Sequence, residues 1–236
     1  MKHSSSVSRL LAAAASARPA EAAPQRPPED KAPGLSLRLT HTSLSIGSDG
    51  VTRQTRYQDR MVRRANVVWL ERELPPALAE HEAHAGPEHT GPHAGHAHDE
   101  ARGAPLLLRR VGDEVQVQSV LRERRRVIDV EPAHQGNVGY GGSWAAAYWL
   151  IDPAALARME RLGRSGGVEH YRLRNGERTT LVDWDVRGQY ARRIEQHDAH
   201  GLSRQLLTAE IIPTPAPLPW DALAGYGRGD YSDLLD

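Results

Sequence analysis

VEHYRLRNGERTTLVDWDVRGQYARRIEQHDAHGLSRQLLTAEII, residues 168–212, is the stretch whose reading decides the fold. It contains four strand-like runs, Val168–Arg174, Arg178–Asp185, Gln189–His197 and Leu202–Ile212. Asn175-Gly176 separates the first two, and Asn-Gly is the strongest short hairpin signal because both turn residues tolerate positive φ. Ala199-His200-Gly201 marks another turn. Strands at this spacing with short turns predict an antiparallel meander, since parallel pairs need a long crossover.

Just upstream the pattern changes. Asp152-Pro153 predicts a helix start, with Asp as N-cap and Pro in the first turn. Ala154–Leu162 then places Leu156, Met159 and Leu162 on one apolar face, and Gly163–Gly167 ends the helix. Before that, Gly136–Leu150 (GNVGYGGSWAAAYWL) reads as a tight glycine loop leading into an aromatic-rich strand. Tyr140, Trp144, Tyr148 and Trp149 have two readings there. They supply core burial in a chain without Phe, or they line the mouth of a cavity and are its ligand-binding residues.

The first half repeats the strand signals. Leu35, Leu37 and Leu39 alternate with polar residues, Ser48-Asp49-Gly50 is a turn, Val51–Arg64 is a polar strand, and Ala65–Leu74 is a better one, ended by Pro75-Pro76. Further on, Leu106–Arg110 and Val115–Leu121 flank a glycine turn as a hairpin, with Arg122–Val130 following as a strand. Between these blocks lies HEAHAGPEHTGPHAGHAH, residues 81–98, within a loop read over residues 75–104. Its six histidines are His81, His84, His89, His93, His96 and His98. Neutral imidazole suits zinc, copper and nickel, so these are the candidate metal ligands. Binding by a loop must overcome its ordering entropy and is lost as imidazoles protonate, which predicts a buffering role rather than a catalytic metal.

Lys+Arg and Asp+Glu balance at 30 each, so no net field favours nucleic acid. Absence of cysteine excludes disulfides, thiol catalysis and thiolate metal sites. Residues 1–23 have the order of a signal peptide: Lys2 and Arg9, the apolar run Leu10–Ala17, then Ala20-Glu21-Ala22. Residues 24–34 read as a Pro-rich linker, and no run is long enough to span a bilayer as a helix. The expected location is therefore the periplasm, or the cytoplasm if the leader is a plain Ala/Ser-rich segment.

The order of these elements resembles the lipoprotein-carrier superfamily, the LolA-like half-barrels. The likeness lies in the early three-strand meander with Val67-Val68-Trp69-Leu70 on its third strand. It continues in the late hairpins Val168–Asp185 and Gln189–Ile212, where Asp183-Trp184-Asp185 precedes Arg192-Arg193-Ile194-Glu195. It spans residues 35–212 and is one of architecture, so no family site residue carries over, and the His-rich insert lies outside the pattern.

The expected fold is thus mainly β (α+β): a curved antiparallel sheet or half-barrel with one central helix and a short C-terminal helix, residues 35–236 forming one domain. The expected function is a soluble binding or carrier protein with a cavity for a lipid or lipoprotein acyl chain. The alternative is a metal-binding protein working through the His-rich loop. No constellation for an enzyme stands out. Ser143 lacks the second glycine of a nucleophile elbow, His134 and His170 read as isolated, and Asp183 and Asp185 share a strand face opposite Trp184.

Overall fold

A computed structural model of the chain describes residues 32–74 and 103–234. It contains one sheet of twelve strands, open and curved. The first meander comprises β1 (Leu35–Ile46), β2 (Thr52–Arg64), β3 (Val67–Glu73), β4 (Leu106–Val111), β5 (Glu114–Leu121) and β6 (Arg126–Val130). The second comprises β7 (Glu160–Ser165), β8 (Val168–Asn175), β9 (Arg178–Asp185), β10 (Tyr190–Asp198) and β11 (Ser203–Ile211). A last short strand, β12 (Gly227–Asp230), pairs parallel with β6. The sheet order is β12-β6-β5-β4-β3-β2-β1-β11-β10-β9-β8-β7, so the two meanders meet where β1 pairs antiparallel with β11.

The period-two pattern sorts the side chains onto two faces. On β3, Val68 faces the main core while Val67 and Trp69 face the opposite side, and β4 repeats this with Leu106 and Leu108 against Leu107. The main core continues across Leu37, Leu39, Met61, Val117, Ile128, Val182 and Ala209. The outer cluster of Val62, Trp69, Leu107, Val120 and Val127 is covered by Leu218, Trp220, Leu223 and Tyr226 of the C-terminal segment. Near-continuous apolar runs such as Leu106-Leu107-Leu108 are what a strand buried on both faces requires.

Consecutive strands β6 and β7 lie far apart in the sheet, with nine strands between them. The chain between them crosses the inner face carrying two short helices, α1 (Trp144–Trp149) and α2 (Pro153–Leu156). Here the structure departs from the sequence reading in three places. The aromatic segment is a helix, started by Ser143, whose side-chain oxygen accepts from the Ala146 N–H at 3.2 Å. The helix at Pro153 stops at Leu156, although Asp152 caps it as expected by accepting from the Ala154 N–H. Residues 160–165 form the edge strand β7, wholly exposed, with Leu162 pointing to solvent instead of completing an apolar helix face. Pairing with β8 outweighs the helical spacing there. The C-terminal tail holds 3-10 turns at Asp221–Leu223 and Tyr231–Leu234 around β12.

Arg63 fastens the crossover to both meanders. Its side chain is fully buried on the inner face of β2. One Nη donates to the carbonyl oxygens of Tyr148 and Gln189 at 2.8 and 2.9 Å, and the other to those of Gly188 and Pro33 at 2.8 and 3.1 Å. The guanidinium also sits 4.6 Å from the centre of the Tyr148 ring. The Tyr148 carbonyl is one of those at the end of α1 left without a helical partner, and Leu150 closes the helix in the left-handed region at φ 69. In a flat sheet β2 and β10 would stand about 14 Å apart, three strand spacings. Arg63 reaches the β9–β10 turn because the sheet curls and that turn leans inward.

Burial without a carboxylate partner pulls the Arg63 guanidinium down to about 10. It remains charged at neutral pH, and four carbonyl dipoles replace its lost hydration. Arg63→Ala leaves those four carbonyl oxygens, one of them buried and three partly so, without their donor. We expect it to lower unfolding free energy by about 3 kcal/mol or more, while Arg63→Lys, with three donors and no planar fork, recovers only part of the loss. Urea unfolding of the three proteins measures both.

Candidate functional site

The four aromatic residues of the glycine loop and α1 lie in the main core. Tyr148 and Trp149 are completely buried, and Tyr140 and Trp144 nearly so. Trp144 stacks on Tyr148 at 5.2 Å, and Tyr148 meets Trp149 edge-on at 4.8 Å. Together they plug the part of the inner face that α1 covers. None of them lines the clefts of about 460 and 320 Å³ that open on the sheet. Because the plug is packed core, Trp149→Ala is expected to lower stability by about 3–5 kcal/mol in thermal or denaturant unfolding.

Beyond the plug the inner face stays open. β1 and β2 are long strands, and their far halves project past the crossover. The register places Tyr171, Val182, Ile194, Leu207, His41 and Tyr57 side by side across β8, β9, β10, β11, β1 and β2. Tyr171, Ile194 and Leu207 are half-buried and pack against the core cluster that contains the plug. A cleft of about 460 Å³ lies over this row, lined by Ile194, Leu207, His41 and Tyr57, with the polar Ser43, Thr55, Gln196 and Gln205 beyond them. Its volume is in the range of small-molecule sites, which run about 300–1,000 Å³.

One wall of the cleft is a stack of charged and aromatic groups. His41 lies parallel to Tyr57 at 4.5 Å, and the Arg72 guanidinium sits 3.9 Å from the centre of the same ring. Asp59 ties the stack together, 3.1 Å from His41 Nε2 and accepting from Arg72 Nε at 2.6 Å. Partial burial alone would raise the Asp59 carboxyl. Hydrogen bonds and charge from His41 and Arg72 outweigh burial and hold it below the ordinary carboxylate value. Its pairing therefore stabilises the fold above pH ~3.9, the usual carboxylate value, and that contribution is lost as pH falls through the lower folded value. Asp59→Asn should cost about 1 kcal/mol at pH 7 and flatten the acid limb of the stability profile, measured by denaturant unfolding between pH 2 and 7.

The second cleft, about 320 Å³, opens beside the end of β3 and is lined by Glu71, Arg72, Leu74, Gly103, Pro105, Leu121 and Arg122. It adjoins the points where the chain leaves and rejoins the sheet around the His-rich stretch. His81, His84, His89, His93, His96 and His98 themselves lie outside the described residues. Among the described residues no group of three or more His, Asp or Glu side chains is placed to hold a metal ion.

His170 is not isolated, as it reads in sequence. It sits between Ser165 and Asp183 on the outer face. His134 stacks on Tyr231 at 4.4 Å as part of the tail's cover. Asp183 and Asp185 do share a face opposite Trp184, which is buried in the main core. None of the residues lining the 460 Å³ cleft stands out as a binding residue in the sequence. Tyr57 and Asp59 sit in a strand whose polar composition suggests a solvated face, and only the register with β1 and β3 reveals their partners.

No family model matches the chain, and no curated protein matches it. Among solved structures it is similar to a putative outer membrane lipoprotein-sorting protein domain from Vibrio parahaemolyticus, at 11% identity over 89% of this chain and 94% of that one, with a TM-score of 0.35. A LolA superfamily protein from Nitrosomonas europaea matches at 10% identity over 80% and 90%, with a TM-score of 0.34. A DUF1329 family protein from Desulfovibrio piger matches at 8% identity over 87% and 93%, also at 0.34. At these identities and TM-scores the chemistry of the site has to come from its own residues.

Proposed function

We propose that this protein is a carrier or binding protein that receives an apolar chain, such as the acyl chain of a lipid or lipoprotein, in the open end of its concave face. The observation that carries the reading is the half-buried pair Ile194–Leu207, left partly uncovered where the crossover ends, beneath a cleft of about 460 Å³. The half-buried Ile194 and Leu207 form the floor on which the ligand would lie, and the His41–Tyr57 stack forms a wall. Aliphatic surface held half-open on a rigid sheet gains free energy by covering, about 25 cal/mol per Å² of apolar area removed from water. The Gln and Thr lip beyond it suits a polar head group that stays in water.

The same reading includes export: residues 1–23 as a signal peptide, residues 24–34 as a linker, and residues 35–236 as one domain working in the periplasm. Among the described residues no helix is long and apolar enough to cross a membrane.

Titrating a fluorescent long-chain fatty acid tests the site. Ile194→Glu and Leu207→Glu place charge on the row and should weaken binding at least about tenfold, since an unpaired carboxylate buried against an acyl chain costs several kcal/mol. Wild-type affinity in both variants would sink the proposal. The second reading, metal buffering by the His-rich stretch, rests on its six imidazoles. It predicts zinc, copper or nickel binding that disappears in a chain lacking residues 81–98 and weakens below pH ~6. Calorimetry on both chains decides it, and fatty-acid binding should survive the deletion.

A further inference from the structure

On the outer face, away from the proposed acyl cleft, three adjacent strands bring together a hydroxyl, an imidazole and a carboxylate. Ser165 Oγ of β7 lies 2.9 Å from His170 Nε2 of β8, and His170 Nδ1 lies 2.8 Å from Asp183 Oδ1 of β9. With the carboxylate accepting from Nδ1–H, the tautomer is fixed and Nε2 is left to accept the serine proton. That is the order of contacts in a serine nucleophile activated by a histidine base, and it is recognised by geometry rather than by position in sequence.

The local backbone explains why the three meet. The β7–β8 register shifts between Arg161 and Gly163, so that Gly163 stands opposite His170. Gly163 has φ 152, a conformation favouring glycine, and a Cβ built there would touch nothing within 4 Å. His170 thus has no side chain above it from β7, and Ser165, two residues on, is the side chain that reaches its ring. The turn Gly166–Gly167 follows, with both residues at positive φ, and sets two backbone N–H groups directly after the serine. Ser165 is exposed and the His170 and Asp183 side chains are about one-third exposed, so the site is open to solvent. The charged groups near the imidazole include Asp183 from β9, behind it Arg193 of β10, whose Nη1 is 3.9 Å from Asp183 Oδ2, and the Arg172–Glu160 pair next along the same face. Arg193 is itself paired with Glu195.

We infer that Ser165 is a nucleophile activated by His170, with Asp183 as the residue that positions the imidazole, reactive toward small activated carboxylic esters. The serine oxygen bonds to the ester carbonyl carbon as its proton passes to His170 Nε2. The carbon–oxygen bond to the leaving group then breaks, and the departing alkoxide or aryloxide takes that proton. Water, deprotonated by the same imidazole, attacks the acyl-serine and releases the carboxylic acid, restoring the hydroxyl. The N–H groups of Gly166 and Gly167 are the nearest backbone donors in sequence for the developing oxyanion. Ser165, His170 and Asp183 line neither of the two clefts above, and their exposure to solvent predicts little selection on the acyl group.

The full chain is incubated with a fluorophosphonate, in which the serine oxygen bonds to phosphorus as fluoride leaves, and followed by intact mass and peptide mapping. The expected result is a single adduct on Ser165, absent from Ser165→Ala, with a labelling rate at least about tenfold lower in His170→Gln. Labelling by the wild type should rise with pH, and that dependence should be lost in His170→Gln. Asp183→Asn should slow labelling and shift the midpoint of the pH profile. Circular dichroism confirms that these surface variants fold. An adduct elsewhere, no adduct, or equal rates in wild type and His170→Gln would overturn the assignment, whatever the fatty-acid titration shows.

Discussion

A buried guanidinium without a counter-ion governs how this molecule closes. Burying a cation is expensive, and a carboxylate partner is the usual remedy. Arg63 is instead surrounded by carbonyl oxygens from the segment before β1, the end of α1 and the β9–β10 turn. Those three segments are remote in sequence, and each ends a structural element with acceptors left over. One side chain therefore satisfies several chain ends at once, and its desolvation is tolerable only when all of them are in place. The arrangement makes docking of the crossover and curling of the sheet a single event.

The rest of the sheet follows from how much of each face is covered. In β3 to β6 both faces are covered, by the crossover on one side and the C-terminal segment on the other. The projecting ends of β1, β2 and β11 are covered on neither, and their composition follows suit, with Thr, Gln, Arg and Ser dominating. Between these zones runs the half-buried aliphatic row that forms the candidate cleft. The outer face of the second meander is ruled by charge instead, with Glu195 paired to Arg193 and Arg204, and Arg172 to Glu160. Arg172, Arg193 and Arg204 thus lie on the face away from the cleft.

Much of the fold was legible in sequence because period-two alternation and turn residues act locally. Asn175-Gly176 sits at its hairpin, Gly176 at φ 57, and every strand from β8 to β11 matches its sequence reading to within a residue or two. The failures occur where tertiary contacts overrule local pattern. Leu156, Met159 and Leu162 have helical spacing, but edge pairing takes residues 160–165 into β7. Ser143 and three alanines signalled a helix that the glycines and aromatics before and within it obscured. Gly227–Asp230 has no strand propensity at all and is a strand only because β6 presents an unpaired edge. The candidate cleft was illegible for a further reason. Its residues come from four strands, β1, β2, β10 and β11, and nothing in one chain direction reveals which rows align across a sheet.

The neighbouring placement of β3 and β4 has a consequence for how the chain can change. Leu70 faces Leu106 across the ladder, so the intervening stretch leaves and re-enters the sheet at adjacent strands. Closing such an excursion costs entropy that grows only with the logarithm of its length, about 0.6 kcal/mol per doubling. The position is therefore a port through which sequence can be inserted, lengthened or exchanged while the sheet keeps its register. A histidine-rich passage could enter the lineage there as cargo, independent of the scaffold that carries it.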